Sequence, residues 1–422
     1  MKEKRTYLIL LPAVLCLAAG PAYEPDPTFK ASQILPAKIL KGAHHTVDEV
    51  VKGDGFYQQF HITSEFGDIG AEGRTVLHTR VSEVDALARL SEVSKSEVFA
   101  KAAGNAVLNV GKGVKAAVEK PEETAKGIGA GVKRVGVNLG RKTKRAADDV
   151  TKDDKTPEEP KKESEDKALD AAGGAANSVF GVNAAARKWA QKLSVDPYTS
   201  NPVLHKALVD VGKIDSAGSI ITKVVVPIPA VVSTTATVGN LVWAKDPEEV
   251  RKTNEARLTE LGVSKKVASA FLVNGNFTLT SQTRFIAALH AVKAKGAADY
   301  VDAAAEAEDE RDALFFVESA EMLSGMHKSQ PVAQILTDSR AMVAKTGTSA
   351  VALLPIDWLR WTAALEKGGQ EIAGRAKQEL GATALEVRLP GGSTKAARDG
   401  LAAQGWTVKE KVVAGLTIAP AD

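Results

Sequence analysis

The chain has 422 residues, of which 44% are hydrophobic, 25% charged and 5% aromatic, with a formal net charge of +3. That length suffices for two or three domains with sizeable cores, and the composition is that of an ordinary soluble globular protein. The single cysteine, Cys16, excludes a disulfide framework and a Cys-ligated zinc site, and the small net charge excludes a protein that is basic throughout.

Residues 1–22 read as a secretory signal peptide: Lys2, Lys4 and Arg5 precede an apolar run over 7–19, and Gly20 and Ala22 are small at −3 and −1 of a cut before Tyr23. The run is too short for a comfortable membrane span. Lipidation at Cys16 is disfavoured because Leu15 is large where a small residue is needed. The mature chain is then expected to be cysteine-free, exported, and periplasmic if the source is a Gram-negative bacterium. Removing the leader's three cations and Glu3 leaves the mature chain at +1.

Residues 23–100 should hold a β unit plus a helix. Pro25, Pro27 and Pro36 punctuate an extended lead-in over 23–41. Over 44–81, Phe56, Phe60, Ile62, Phe66 and Ile69 recur among Gly-Asp turn signals, which predicts a small antiparallel β unit. Val84, Leu87, Leu90 and Val93 then fall at helical spacing and predict a helix over 81–99.

The most biased stretch follows. Over 101–145, Val107, Val110, Val114 and Val118 share one stripe; after Pro121 the pattern restarts with Ala125, Ile128, Val132, Val135 and Leu139. The spacing predicts a hairpin of two basic amphipathic helices, the second starting at Pro121-Glu122-Glu123. Eleven Lys or Arg stand against three Glu there. Lys112, Lys115, Lys126, Lys133, Arg134 and Arg141 are the candidate surface-binding residues. Residues 146–170 carry almost no large apolar side chain and both signs of charge, so a flexible linker is expected.

Residues 171–329 predict an all-α domain, with helices over 177–193, 202–212, 248–261, 264–273, 281–292 and 300–326. Phe271, Phe277, Phe285, Phe315 and Phe316 are its expected core aromatics. The uncharged run 224–244 has the length of a bilayer span, but Pro227, Pro229 and its Ser and Thr residues favour a buried helix. From 330 the pattern changes to a C-terminal α/β region: strands over 332–336, 341–345 and 350–354, an amphipathic stretch over 358–372, and a β-α-β element over 384–413. The expected fold class is therefore α+β and predominantly helical: a small N-terminal antiparallel β unit, a central all-α region and a small C-terminal α/β element.

Three patches, 57–73, 196–204 and 405–410, resemble exported proteins of uncharacterised role from Gram-negative bacteria. The resemblance implies export without implying an activity.

Catalytic words are sparse. Lys345-Thr346-Gly347 resembles the KTG motif of penicillin-binding proteins and serine β-lactamases, but the only upstream S-x-x-K, Ser164–Lys167, lies in the charged linker. A plain β-hairpin is the competing reading. Four of the seven histidines (His44, His45, His61 and His78) fall between 44 and 78, without H-E-x-x-H spacing, so no metal site is expected. The glycines of 111–131 match neither nucleotide-binding motif, and no cofactor is expected. The basic stretch has no aromatic residue to stack on bases, so no nucleic-acid partner is expected. Two functions remain. One is a non-enzymatic envelope protein that contacts an anionic membrane surface or an envelope partner through the basic hairpin. The other gives the hairpin a structural role, paired with the acidic residues Glu306, Glu308, Asp309, Glu310 and Asp312. The sequence sets no oligomeric state. N-terminal sequencing of the protein purified from its cells should begin at Tyr23; an intact Met1 in a cytoplasmic fraction would contradict export.

Overall fold

A computed structural model describes residues 21–97, 99, 101, 182–215, 220–221 and 236–412. Residues 102–145 of the basic hairpin, the whole charged linker over 146–170, residues 1–20 of the leader and residues 222–235 lie outside the described residues.

Alternating side chains build the N-terminal sheet. Strands β1 (Thr28–Lys30), β2 (His45–Val47), β3 (Val50–Gly53), β4 (Gln58–Ser64) and β5 (Ile69–Glu72) pair antiparallel, with β4 bonded to β2, β3 and β5 and with β1 on the far side of β3. Phe60 and Ile62 of β4 point inward with Val47, Val51 and Ala71, as the period of two requires. The antiparallel β unit is thus as expected, with two differences. Phe56 is exposed, in the turn before β4, rather than in the core. The lead-in is not simply extended: it contains β1 and two single-turn helices, α1 (Ala31–Ile34) and α2 (Ala37–Leu40). Pro36 occupies the N-cap of α2, where a missing N–H costs nothing.

Helix α3 (Arg74–Ser94) begins well before the expected position 81, because Gly73, at φ +91°, turns the chain directly out of β5. Its first turns place Leu77 and Val81 on the sheet; Val84, Leu87, Leu90 and Val93 continue into a second core. There α3 meets α4 (Ala184–Leu193) and α5 (Pro202–Ile214). Helix α5 starts as its sequence predicts: the Asn201 side chain accepts from the amides of Val203 and Leu204, and Pro202 takes the first position.

The central helices are α6 (Ala236–Ala244), α7 (Pro247–Glu260), α8 (Lys265–Leu272), α9 (Leu279–Val292), α10 (Ala297–Ala304) and α11 (Glu310–His327). Among the described residues no helix is long and apolar enough to cross a membrane; α6, the described part of the uncharged run, buries Val238 and Val242. Helix α9 starts two residues earlier than expected, because the Thr278 side chain caps it by accepting from the Ser281 amide. The single helix expected over 300–326 is two. Asp309 accepts from the Asp312 amide and starts α11 afresh. Asn274 donates to the carbonyls of Ala305 and Ala307, and Asn276 to Ala307, which satisfies acceptors freed by the break.

Although aromatics are scarce, they are concentrated here. Phe277, Phe271, Phe285, Tyr300 and Phe316 form a chain of ring contacts, each centroid 4.9–5.9 Å from the next. Phe315, expected in this core, is half-buried; it meets Phe316 edge-on and packs against the neighbouring apolar cluster of the C-terminal region.

That sheet has the order β12-β10-β8-β7-β6. Strands β6 (Gln334–Asp338), β7 (Ala341–Thr346) and β8 (Ser349–Leu353) run antiparallel; β10 (Ala384–Arg388) and β12 (Trp406–Lys409) add in parallel. A side pair joins β9 (Trp358–Leu359) to β11 (Gly392–Ser393). Met342, Ala344, Val351 and Leu353 face the aromatic helical core. Val343, Ala350 and Ala352 face α12 (Ala363–Leu380) and α13 (Lys395–Ala403). The expected hairpin and β-α-β element are therefore one sheet covered on both faces, which explains the continuous apolar runs of β7 and β8.

Gly296 caps α10 with φ +90°, and a Cβ there would sit 2.3 Å from the Ile335 carbonyl oxygen. Gly296→Ala should destabilise the protein by about 2 kcal/mol or more, because both the left-handed backbone and the backbone contact oppose it. Chemical denaturation measures this; an unchanged midpoint would contradict the close approach.

Candidate functional site

The six candidate basic residues, Lys112, Lys115, Lys126, Lys133, Arg134 and Arg141, all lie outside the described residues, so the structure brings none of them together. The described residues that lie nearest to that stretch in the chain are packed. Phe99, just before it, is buried in the same core as Trp189, Ala190 and Leu193 of α4 and Leu204 of α5. Lys101 is the last described residue before the interval, and Val182, the first after it, is buried against Ala186 and Tyr198. Trp189 is itself held by donating its indole N–H to Asp215 at 3.0 Å. The interval is thus anchored on both sides in adjoining helical cores.

A groove of about 430 Å³ lies beside the same α3 helix. Lys38, Lys41 and His44 form one wall, and Asp85, Arg89 and Glu92 form the other. The three α3 residues share a face through their i, i+4, i+7 spacing. His45 is buried at its edge; its Nε2 lies 3.0 Å from the Ile39 carbonyl oxygen, so Nε2 carries the proton and donates. His44 Nδ1 lies 2.5 Å from Glu65. Both signs of charge line the groove, with no hydroxyl or thiol nucleophile among its lining residues. The other histidines of the β unit are apart: His61 sits between Asp48 and Asp68, at 3.0 and 3.9 Å, and burial lowers the His78 pKa, with Arg74 adding to the effect. Among the described residues no cluster of three or more His, Cys, Asp or Glu is arranged to hold a metal ion.

The KTG word is a hairpin. Lys345 pairs with Ala350 and Thr346 with Ser349 across the turn, where Gly347 supplies φ +56°. Its would-be serine partner, Ser164, lies outside the described residues.

The most perturbed groups sit where separate segments meet. Asp357 is buried between β8 and β9, and its carboxylate accepts from the Gln58 amide at 3.0 Å and the Arg74 amide at 3.2 Å. Arg74 is the first residue of α3, so a buried carboxylate lies at that helix's positive end. Burial raises the Asp357 pKa, and these two amides oppose the rise. The Arg311 guanidinium of α11 stacks 4.2 Å from the Tyr57 ring centroid and donates to Glu318 at 2.7 Å. Gly73 keeps the approach open, since a Cβ there would crowd Arg311 and Tyr57. A second knot joins α3 to the turn before α5. Arg80 donates to Glu83 at 2.9 Å and reaches Ser200 and Glu310, while Thr199 and Asn201 donate to the same Glu83. Asp196 is pushed up to about 6, chiefly by burial, against a 2.5 Å hydrogen bond from Thr280.

Composition and motif reasoning missed these groups because the deciding contacts are distant in sequence, as between Asp357 and Gln58 or Arg74 and between Glu83 and Thr199 or Asn201. One signal was present: Asp357 is a lone acid inside the apolar run 350–361, and such a residue must find hydrogen-bond donors when buried.

No family model matches the chain, and comparison with curated proteins and with solved structures also gives no match.

Glu72, at the end of β5, is pushed up to about 7, first by burial and then by the neighbouring Asp54 carboxylate, against Arg311. A carboxyl that holds its proton more tightly when folded costs stability as pH rises from its ordinary 4.5 to about 7. Glu72→Gln should therefore raise the melting temperature at pH 8 and leave it nearly unchanged at pH 4.5. An equal shift at both values would show that Glu72 does not titrate differently in the fold.

Proposed function

We propose that the protein is an exported, non-enzymatic envelope protein that contacts an anionic membrane surface through the basic stretch over 101–145. The observation that carries this reading is the placement of that stretch: a local excess of eleven cations over three acids, in an interval whose two ends are both anchored in the α3–α4–α5 region. Near an anionic leaflet each Lys or Arg contributes about 1 kcal/mol, falling off over a Debye length of roughly 8 Å.

The competing reading pairs the stretch with the acidic residues around α11. Those acids are already engaged. Asp309 caps α11, Glu310 receives hydrogen bonds from Arg80 and Ser200, and Asp312 pairs with Arg340. Their engagement favours an external partner for the basic stretch.

Co-sedimentation with vesicles tests the proposal. Binding should require anionic lipid, weaken with added salt, and fall at least tenfold in a variant carrying Lys112→Gln, Lys115→Gln, Lys126→Gln and Lys133→Gln with unchanged far-UV circular dichroism. Equal binding to neutral and anionic vesicles, or none to either at low salt, would overturn it.

A further inference from the structure

The segment that follows the expected cleavage point is bound by the far end of the chain. Residues 21–27 have no regular secondary structure, yet their polar groups meet a concentrated set of partners. The Glu24 amide donates to the Trp361 carbonyl at 2.9 Å, and the Glu24 carboxylate accepts from the Trp361 amide at 2.7 Å and the Thr394 hydroxyl at 2.6 Å. Arg360 donates to the Glu24 carbonyl and to the Asp26 carboxylate. Tyr23 donates its phenol proton to Glu366 at 2.5 Å.

The receiving groups form a cradle for a carboxylate. Trp361 lies just before Thr362, the N-cap of α12, and Thr394 is the N-cap of α13. Two helix N-termini therefore converge on one oxygen, and the guanidinium of Arg360 adds a full positive charge beside them. Thr394 both donates to Glu24 and accepts from the Ala397 amide, so the bound carboxylate orients the cap itself.

What holds the segment is directional bonding rather than apolar burial. The Tyr23 side chain is 58% exposed, and the Asp26 side chain is 65% exposed. Pro25 and Pro27 keep the backbone extended in advance, which limits the entropy lost on docking. A segment held this way opens locally without unfolding the core under it.

We propose that Arg360, Trp361 and Thr394 form a binding site for an extended acidic peptide of the pattern Tyr-Glu-Pro-Asp, which residues 23–26 fill as an exchangeable ligand in cis. The site is independent of the membrane reading. Its recognition elements are one half-buried carboxylate at two helix N-termini, a second carboxylate on Arg360, and an aromatic hydroxyl on Glu366.

The test uses the full chain carrying Glu24→Ala and Asp26→Ala, with a fluorescein-labelled peptide of residues 22–28 as probe, read by fluorescence anisotropy. The variant should bind the peptide saturably and at least tenfold more tightly than the parent, whose own segment occupies the cradle. A peptide with Gln in place of the first acid should bind the variant at least tenfold more weakly. Equal binding to parent and variant, or no binding to a variant with native circular dichroism, would overturn the proposal. Glu24→Gln, which preserves shape, serves as the second variant. If neither variant folds, the segment is a fixed part of the core and the proposal fails.

Discussion

The buried carboxylate of Asp357 is the contact on which the arrangement of the rest depends. It lies between the C-terminal strands, yet its hydrogen bonds come from the amides of Gln58 and Arg74. A buried carboxylate without donors costs several kcal/mol, so the first sheet and the start of α3 must be in place around it. Arg311 extends the same junction to α11 through Tyr57 and Glu318. One junction thereby joins segments from the beginning, middle and end of the chain. The aromatic core continues the linkage, since Phe316 and Leu323 share it with Met342 and Val351 of the C-terminal sheet.

Much of the fold was legible locally. The antiparallel first sheet, the helices α5, α7 and α8, the β7–β8 hairpin and the final β-α-β element all follow from periodicity, caps and turn residues. Their signals are short-range: Asn201 before Pro202, Ser264 before α8, Gly347 at the hairpin. Errors arose where a distant partner decided the outcome. The break between α10 and α11 is sustained by Asn274 and Asn276, about thirty residues upstream, and no helical period could reveal it. The early start of α3 rests on Gly73, whose conformation matters because Arg311 and Tyr57 pack against it. The two apolar units of the C-terminal region read as separate because parallel pairing of β8 with β10 leaves no local mark.

The candidate site divides in the same way. Charge bias marks 101–145 in the sequence alone, and the structure adds the anchoring of its flanks through Phe99 and Val182. The cradle around Glu24 had no sequence signature, since its groups are separated by more than 330 residues. Within the described residues, the buried ionic groups Asp357, Arg80, Glu83 and Arg311 join segments distant in the chain.

Native-state hydrogen exchange is the most direct test of the claim that one buried junction makes a single cooperative body. The amides of Gln58 and Arg74 should exchange with the same free energy as those of Val343 and Val351, in the centre of the C-terminal sheet. Exchange of the first sheet and the start of α3 through a separate opening, several kcal/mol below that of β7 and β8, would contradict the account.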